Sequence, residues 1–166
     1  MIVADSTPLI HLSKIGKLEI LKQVFNQIII PEAVYNEAVV KGKEKSIISA
    51  NIIDSQKWII KKNLNENQRL ESKNLLKNAN IGSGEAEAII LAKSDKLGLI
   101  IDDSVGIKVA ESFGIETFWT TSVILKAVSK NILTKQKAKE IIENLVKSGL
   151  RLKAETLILI LNKLSN

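Results

Sequence analysis

Cysteine is absent from this chain of 166 residues, and histidine occurs once. The lack of cysteine excludes disulfide bonds and zinc-thiolate sites, and it is compatible with a reducing compartment. The single histidine, His11, lies among apolar residues of a predicted first helix, and we interpret it as a packing or surface residue. The chemistry considered below does not require it.

Long apolar runs are also absent. No stretch approaches the roughly 18–20 residues that a membrane-spanning helix needs, and no charged segment precedes a hydrophobic run at the amino terminus. We therefore expect a cytoplasmic protein without membrane association. We find no repeat or linker, and 45% of the residues are hydrophobic. These features predict one domain over residues 1–150, with a C-terminal helix over 151–166 that packs on the domain or at an interface.

The positive charge is unevenly distributed along the chain. Residues 1–125 hold 15 basic and 15 acidic residues, so the net charge of +6 comes from residues 126–166, with 9 basic residues against 3 acidic ones. Basic residues in a protein that also has an acidic site indicate a polyanionic partner such as RNA. The alternative is a solvated, lysine-rich helical surface.

Short apolar strands alternate with helices, which predicts an α/β fold with a parallel sheet covered on both faces. A charged connection is expected at 41–45, followed by a helix from Ser46 to Ile53, and Ser83 is the expected N-cap of a helix over 85–94. The strands are predicted at 1–4, 27–30, 58–60, 97–101 and 115–118, and three closing helices at 122–129, 134–148 and 153–164.

Acidic residues follow two of the predicted strands or lie on helices beside them. Asp5 ends the first strand, and Asp102-Asp103 end the fourth. Glu37 and Glu85 lie on neighbouring helices. Because the carboxyl ends of parallel strands lie at one edge of a sheet, we expect these acids to converge there. Clustered carboxylates repel one another unless a cation is present, and their hard oxygens suit Mg²⁺ or Mn²⁺, as in metal-assisted phosphodiester hydrolysis.

Each acid also has a simpler interpretation. Asp5 and Asp103 could cap the helices that follow them, and Glu37 could be a solvated helix residue. Glu85 and Glu87 lie about 200° apart around a helix, so at most one of them points into a site. We prefer Glu85, which is nearer the loop.

Three stretches of the chain carry a resemblance to a known family. They are residues 5–12 (DSTPLIHL), 30–37 (IPEAVYNE) and 82–89 (GSGEAEAI), the last continuing to the aspartate pair at 102–103. In this order they resemble the PIN-domain proteins, a nuclease fold shared by the VapC-type toxins of toxin–antitoxin pairs, and within it a poorly characterised bacterial and archaeal branch. The resemblance spans about residues 1–150.

The resemblance implies a three-layer α/β/α fold with a mainly parallel sheet of about four or five strands and extra C-terminal helices. It also implies a Mg²⁺- or Mn²⁺-dependent ribonuclease and an antitoxin-like protein partner. Its catalytic acids fall on Asp5, Glu37, Glu85 and Asp103, which are also the implied metal ligands, and Asp102 is the alternative ligand to Asp103.

Two positions depart from the family pattern. Ile107-Lys108 stand where an arginine is expected, and Trp119-Thr120 stand where a Gly-Thr is expected. Lys108 keeps the charge but cannot reproduce a bidentate arginine contact. We interpret Trp58 and Trp119 as core or edge residues rather than base-stacking platforms. The residues expected to orient water or substrate are Ser6, Thr7, Lys108 and Thr120, although helix capping also accounts for Ser6 and Thr7.

The favoured function is therefore a metal-dependent ribonuclease that cuts RNA, with a toxin as one form of it. The alternative is a PIN-like module that binds nucleic acid or a protein with little cleavage. A receiver-type signalling domain does not fit, because its aspartate pair follows the first strand. The run 157–161 is apolar all round, which predicts burial against the domain, in a homodimer or under a partner. Gly82-Ser83-Gly84 lacks the lysine of a P-loop, so we expect no nucleotide cofactor.

Overall fold

Five short strands form one parallel sheet in the computed structural model, which describes residues 1–45 and 47–165. The strand order is β3-β2-β1-β4-β5, and all neighbours are parallel, as the sequence predicts. Val3 in the central strand is paired with Ile29 on one side and with Leu99 on the other. The strands are β1 (Ile2–Ala4), β2 (Ile28–Ile30), β3 (Ile59–Lys61), β4 (Leu99–Ile100) and β5 (Thr117–Phe118).

The burial of each strand follows its place in the sheet. Every residue of β1, β2 and β4 is buried, as expected for runs of valine, isoleucine and leucine covered on both faces. The two edge strands, β3 and β5, are partly exposed. The prediction that residues 58–60 form a strand at an edge is confirmed, with the strand shifted by one residue.

Helices cover both faces of the sheet and complete the three-layer α/β/α fold that the sequence predicts. One group is centred on α7, which packs against β1 and β4, and against α3, α6 and α8. In another, α2 packs against β2 and α9. The helices are α1 (Ser6–Lys14), α2 (Glu19–Phe25), α3 (Glu32–Tyr35), α4 (Lys41–Glu44), α5 (Ile48–Asp54), α6 (Glu66–Asn78), α7 (Ser83–Asp95), α8 (Ser104–Ser112), α9 (Thr120–Ser129), α10 (Lys135–Lys147) and α11 (Ala154–Ser165).

The predicted connection at 41–45 is wrong, because the chain stays helical through α4. A π-helical turn, Asn36–Val40, joins α3 directly to α4. Gly42 allows α4 to pack closely against α5. A Cβ placed at Gly42 would lie 2.7 Å from the Cβ of Ala50, so only glycine permits this approach. The next helix starts at Ile48, and Ser46, where we expected it to start, lies outside the described residues.

The C-terminal helix α11 packs on α10. Ile160 and Leu164 are buried, whereas Ile158 and Leu159 are 57% and 69% exposed. The domain therefore buries only part of the run 157–161, and burial of the remainder in a homodimer or under a partner stays a prediction. Asn166, the last residue of the predicted segment, lies outside the described residues. No helix in the described part of the chain combines the length and apolar character needed to cross a bilayer.

Candidate active site

The strand order places a topological switch point beside β1. The chain runs outward from β1 through β2 to β3 and then returns to add β4 on the other side of β1. The carboxyl ends of β1 and β4 therefore flank a crevice, which is where open α/β sheets bind ligands. Asp5 directly follows β1, and Asp102 and Asp103 follow β4 closely.

Asp5 is a buried carboxylate with one oxygen unsatisfied. It is the N-cap of α1, and its Oδ2 accepts a hydrogen bond from the backbone N–H of Thr7 at 3.5 Å. Its side chain is almost fully buried, and Oδ1 has no hydrogen-bond partner among the described residues. Helix capping thus uses only half of this carboxylate.

Burial is also the main reason why the pKa of Asp5 rises from its usual 3.8 to about 7. The backbone N–H of Ser6 opposes the rise, and the negative charges of Glu85 and Glu37 add to it. The electrostatic contributions show that all three acids lie near one another.

Glu37 reaches this site from the π-helical turn Asn36–Val40. Such turns re-aim side chains within a helix and are frequent at functional sites. A Cβ placed on Gly84 would lie 3.0 Å from Glu37 Oε2 and 3.3 Å from Asp5 Oδ1. The two carboxylate oxygens therefore face each other across Gly84, in a space that any larger residue would fill.

Glu85 is the third residue of α7 and lies in its first turn, next to Gly84. Its Oε2 accepts a hydrogen bond from the backbone N–H of Gly82, which is the N-cap of the helix. The predicted N-cap, Ser83, is instead the first helical residue. Burial raises the pKa of Glu85, the N–H of Gly82 opposes that rise, and the charges of Asp103 and Glu37 increase it.

The aspartate pair after β4 divides between two tasks. Asp103 is the N-cap of α8: its Oδ1 accepts from the N–H groups of Val105 at 2.9 Å and Gly106 at 2.7 Å. Asp102 accepts from the backbone N–H of Thr120 at 2.9 Å and from its hydroxyl at 2.5 Å. Burial raises the pKa of Asp102, and the two bonds from Thr120 oppose that rise. Asp103 is thus the member that faces Glu85.

The structure brings together the four acids predicted to be catalytic. Each of Asp5, Glu37, Glu85 and Asp103 interacts electrostatically with at least one other member of this carboxylate cluster. Asp102 lies beside it, tied to α9. Among residues 1–45 and 47–165, however, no three acidic or histidine side chains are arranged closely enough to hold a metal ion as they stand.

The residues expected to orient water or substrate lie on three helices, α1, α8 and α9. Ser6 is buried at the start of α1, next to Asp5, and Thr7 is half-buried there. Lys108 is exposed on α8. Thr120 is fully buried, and it donates its hydroxyl proton to Asp102. These roles remain predictions.

His11 has the packing role expected of it. Its Nδ1 lies 2.9 Å from the hydroxyl oxygen of Ser148, at the end of α10. Burial lowers its pKa. It therefore links α1 to α10 away from the carboxylate cluster.

Sequence reasoning did not identify the roles of Glu87 and Gly84. Glu87 Oε2 accepts a hydrogen bond at 2.9 Å from the N–H of Ala33, so it caps α3 from a neighbouring helix. Gly84 provides the space between Asp5 and Glu37. The signal for Gly84 was the glycine inside a strong helical pattern, because a helix normally disfavours glycine unless a close approach requires it. No local signal indicated the partner of Glu87.

A parallel α/β/α sheet with four carboxylates at its switch point defines the class of PIN-like folds. The chain matches the family model DUF3368, a PIN domain, over residues 1–166, and it therefore belongs to this PIN-domain family. No curated protein matches it. PIN domains are in general nucleases, and they typically use Mg²⁺ or Mn²⁺.

Proposed function

We propose that this protein is a metal-dependent endoribonuclease that hydrolyses RNA phosphodiester bonds at the carboxyl edge of its sheet. One observation carries the proposal: Asp5 Oδ1 is buried without a hydrogen-bond donor and faces Glu37 Oε2 across Gly84. Two carboxylate oxygens in such a space repel each other, and a hard divalent cation is the partner that relieves the repulsion.

The carboxylate oxygens present are of the chemical type that suits Mg²⁺ or Mn²⁺. Asp5, Glu37 and Glu85 would hold the ion, with Asp103 at the open side of the carboxylate cluster and Asp102 as an alternative ligand. When bound, such an ion activates water and neutralises charge on the phosphoryl and leaving oxygens. Other residues position the acids. The start of α1 orients Asp5, Thr120 orients Asp102, and Gly84 keeps open the space between Asp5 and Glu37.

The cellular role rests on the family resemblance. A toxin of a toxin–antitoxin pair, held in check by an antitoxin-like protein, is the form that the resemblance supports. RNA is the partner that the family and the basic C-terminal quarter favour. The exposed Ile158 and Leu159 on α11 offer an apolar surface for a second copy or another protein.

The second candidate is a PIN-fold module that binds nucleic acid or a protein without significant cleavage. The arrangement of the side chains favours it: in the described part of the chain no three potential ligands are already gathered for a metal ion. For Glu85 to hold an ion together with the other acids, its carboxylate would have to leave its bond to Gly82, or the other acids would have to approach it. A module that no longer cuts would have no need for that movement.

Cleavage of a mixed RNA substrate with Mg²⁺ or Mn²⁺ separates the two candidates. The nuclease proposal predicts products that disappear with EDTA and with Asp5→Asn. The control is Asp95→Asn, which removes a carboxylate from the distant surface pair with Lys62. RNA that stays intact while the folded protein binds Mn²⁺ would favour the binding module. Absence of Mn²⁺ binding would overturn the assignment of the carboxylate cluster.

A further inference from the structure

A cavity of about 550 Å³ opens beside the aspartate pair. The loop after β4, the start of α9, and the segment from residue 151 into α11 enclose it. Its volume lies within the roughly 300–1,000 Å³ of small-molecule sites. The lining combines an aromatic ring, two cations and hydroxyl groups from Trp119, Arg151, Lys153, Thr121, Ser122 and Thr156 with the two carboxylates of Asp102 and Asp103 on the side of the acids.

Trp119 is the more exposed of the two tryptophans. It is 37% exposed, whereas Trp58 is 8% exposed and donates its indole N–H to Gln56. In the described residues the indole N–H of Trp119 has no acceptor, and more than a third of the residue's surface is open to solvent. The interpretation of Trp58 as a core or edge residue is confirmed, and Trp119, which follows edge strand β5, keeps part of its ring open for stacking.

Arg151 and Lys153 supply positive charge to the same cavity. Within the described part of the chain neither forms a salt bridge with an acidic side chain. An arginine guanidinium can bind a phosphate through two parallel hydrogen bonds, and a lysine adds a point charge. The nearby Asp102 makes no salt bridge with either cation in the described residues, and Thr120 donates to both of its oxygens.

We propose that this cavity binds one unpaired nucleotide of single-stranded RNA, with the base on Trp119 and its phosphate on Arg151 and Lys153. Asp103 lines both the cavity and the carboxylate cluster, so the adjoining phosphodiester reaches the acids. The inference rests on the proposed function and specifies the form of RNA that the site takes. Duplex RNA is disfavoured, since a paired base leaves its stack only at an energetic cost.

Tryptophan fluorescence reports this contact directly, because the chain has only two tryptophans. In Trp58→Phe protein, Trp119 is the sole emitter, and titration with a single-stranded hexaribonucleotide in EDTA should quench it. In Trp119→Phe protein the same titration should leave the emission of Trp58 unchanged. Equal quenching in the two proteins, or none in Trp58→Phe, would overturn the proposal.

Affinity of the same hexaribonucleotide measures what each group contributes. Trp119→Leu should weaken binding by about five- to 150-fold, the range for loss of one stacked base, whereas Trp119→Phe retains most of the affinity. Arg151→Gln should also weaken binding, and the surface control Lys22→Gln should not. Circular dichroism verifies that each variant is folded. Unchanged affinity in folded Trp119→Leu would overturn the stacking role.

Two further ligands test whether the cavity prefers single-stranded RNA to a free mononucleotide or to duplex RNA. Adenosine monophosphate and a blunt duplex should each bind the Trp58→Phe protein more weakly than the hexaribonucleotide. A duplex that quenches Trp119 equally well, or a mononucleotide that saturates at the same concentration, would contradict an unpaired-RNA subsite.

Cleavage is assayed separately, so the two proposals can fail independently. Quenching without cleavage would support the subsite while overturning the nuclease. Metal-dependent cleavage whose KM and kcat are both unchanged in Trp119→Leu would support the nuclease and overturn the subsite.

Discussion

The two edges of the sheet carry charges of opposite sign and satisfy them differently. At the carboxyl edge, Asp5 keeps a buried oxygen without a partner. At the amino edge, a cavity of about 600 Å³ is lined by three lysines, each with a partner. Lys22 pairs with Glu19 at 3.2 Å, Lys126 lies 4.7 Å from the ring centre of Phe118, and Lys130 donates to the carbonyl oxygen of Val24 at 2.9 Å.

This difference separates charges that have partners within the fold from a carboxylate cluster that has few. The amino-edge lysines form ordinary surface contacts, each worth at most about 1 kcal/mol. The carboxylate cluster instead costs stability, since burial and mutual repulsion both disfavour its charged form. Proteins retain such a cost where a ligand or a reaction needs it.

The basic residues of the C-terminal quarter are also divided between the two edges of the sheet. Lys126 and Lys130 lie at the amino edge, whereas Arg151 and Lys153 line the cavity beside the acids. Net charge along the sequence therefore does not describe one continuous RNA-binding surface. Only the second pair is placed to guide a phosphate toward the carboxylate cluster.

The largest effect is expected when the charge of Asp5 at the carboxyl edge is removed. Asp5→Asn should reduce metal-dependent cleavage by roughly 10²–10⁴-fold, the range for loss of a catalytic group. Asparagine caps helices as well as aspartate does, so the fold should be retained. Initial rates of RNA cleavage measure the effect, with Asp95→Asn as the matched control. An Asp5→Asn protein that cuts at the parent rate would refute the site.

The stability cost of the carboxylate cluster should appear as a pH dependence. Because the pKa of Asp5 is raised from 3.8 to about 7, the folded state holds its proton where the unfolded state has lost it. Stability relative to Asp5→Asn should therefore fall as pH rises between about 4 and 7, by on the order of 4 kcal/mol in full. Urea unfolding in EDTA at pH 5 and pH 8 measures this, and parallel pH profiles would contradict it.

Filling the space between Asp5 and Glu37 should weaken metal binding while changing the stability of the fold only slightly. Gly84→Ala places a methyl group within 3.3 Å of Asp5 Oδ1 and against Glu37, so Mn²⁺ affinity should fall by about 10- to 100-fold. Alanine also favours a helix over glycine by roughly 0.5–1 kcal/mol, so the melting temperature should not drop greatly. Calorimetric Mn²⁺ titration tests this, with exposed Ser83→Ala as control. Unchanged Mn²⁺ affinity would remove Gly84 from the site.

The smallest expected effect concerns salt. Affinity for single-stranded RNA should fall as salt rises, because bound phosphates release counterions. Arg151→Gln should reduce the slope of log affinity against log salt by about one, whereas Lys22→Gln at the amino edge should not change it. Fluorescence titrations at several salt concentrations give both slopes. An equal change in the two variants would abolish the distinction between the edges.

Much of the fold was predictable from local patterns. The buried strands 28–30 and 99–100 are apolar runs, and helix α10 has a threonine cap followed by a regular apolar face. The errors arose where packing overrides such patterns. Gly42 looked like part of a loop, yet it lies in helix α4, and the residue is glycine because Ala50 occupies the space where a side chain would be.

The candidate site was predictable as a set of residues but not as an arrangement. Asp5, Glu37, Glu85 and the aspartate pair are visible in the sequence, and parallel strands require the acids after β1 and β4 to share an edge. The π-helical turn that carries Glu37 has no clear sequence signal. The different tasks of Asp102 and Asp103 depend on Thr120, which is distant in the chain.

The sequence by itself determined the α/β class, the apolar strands and the acids that end two of them, because these depend on composition and on periodicity within a few residues. Tertiary structure alone decided which oxygen of Asp5 is left without a partner, which aspartate is tied to α9, and that Trp119 shares a cavity with Arg151 and Lys153. These features depend on contacts between segments far apart in the chain, and only the packed fold sets their distances.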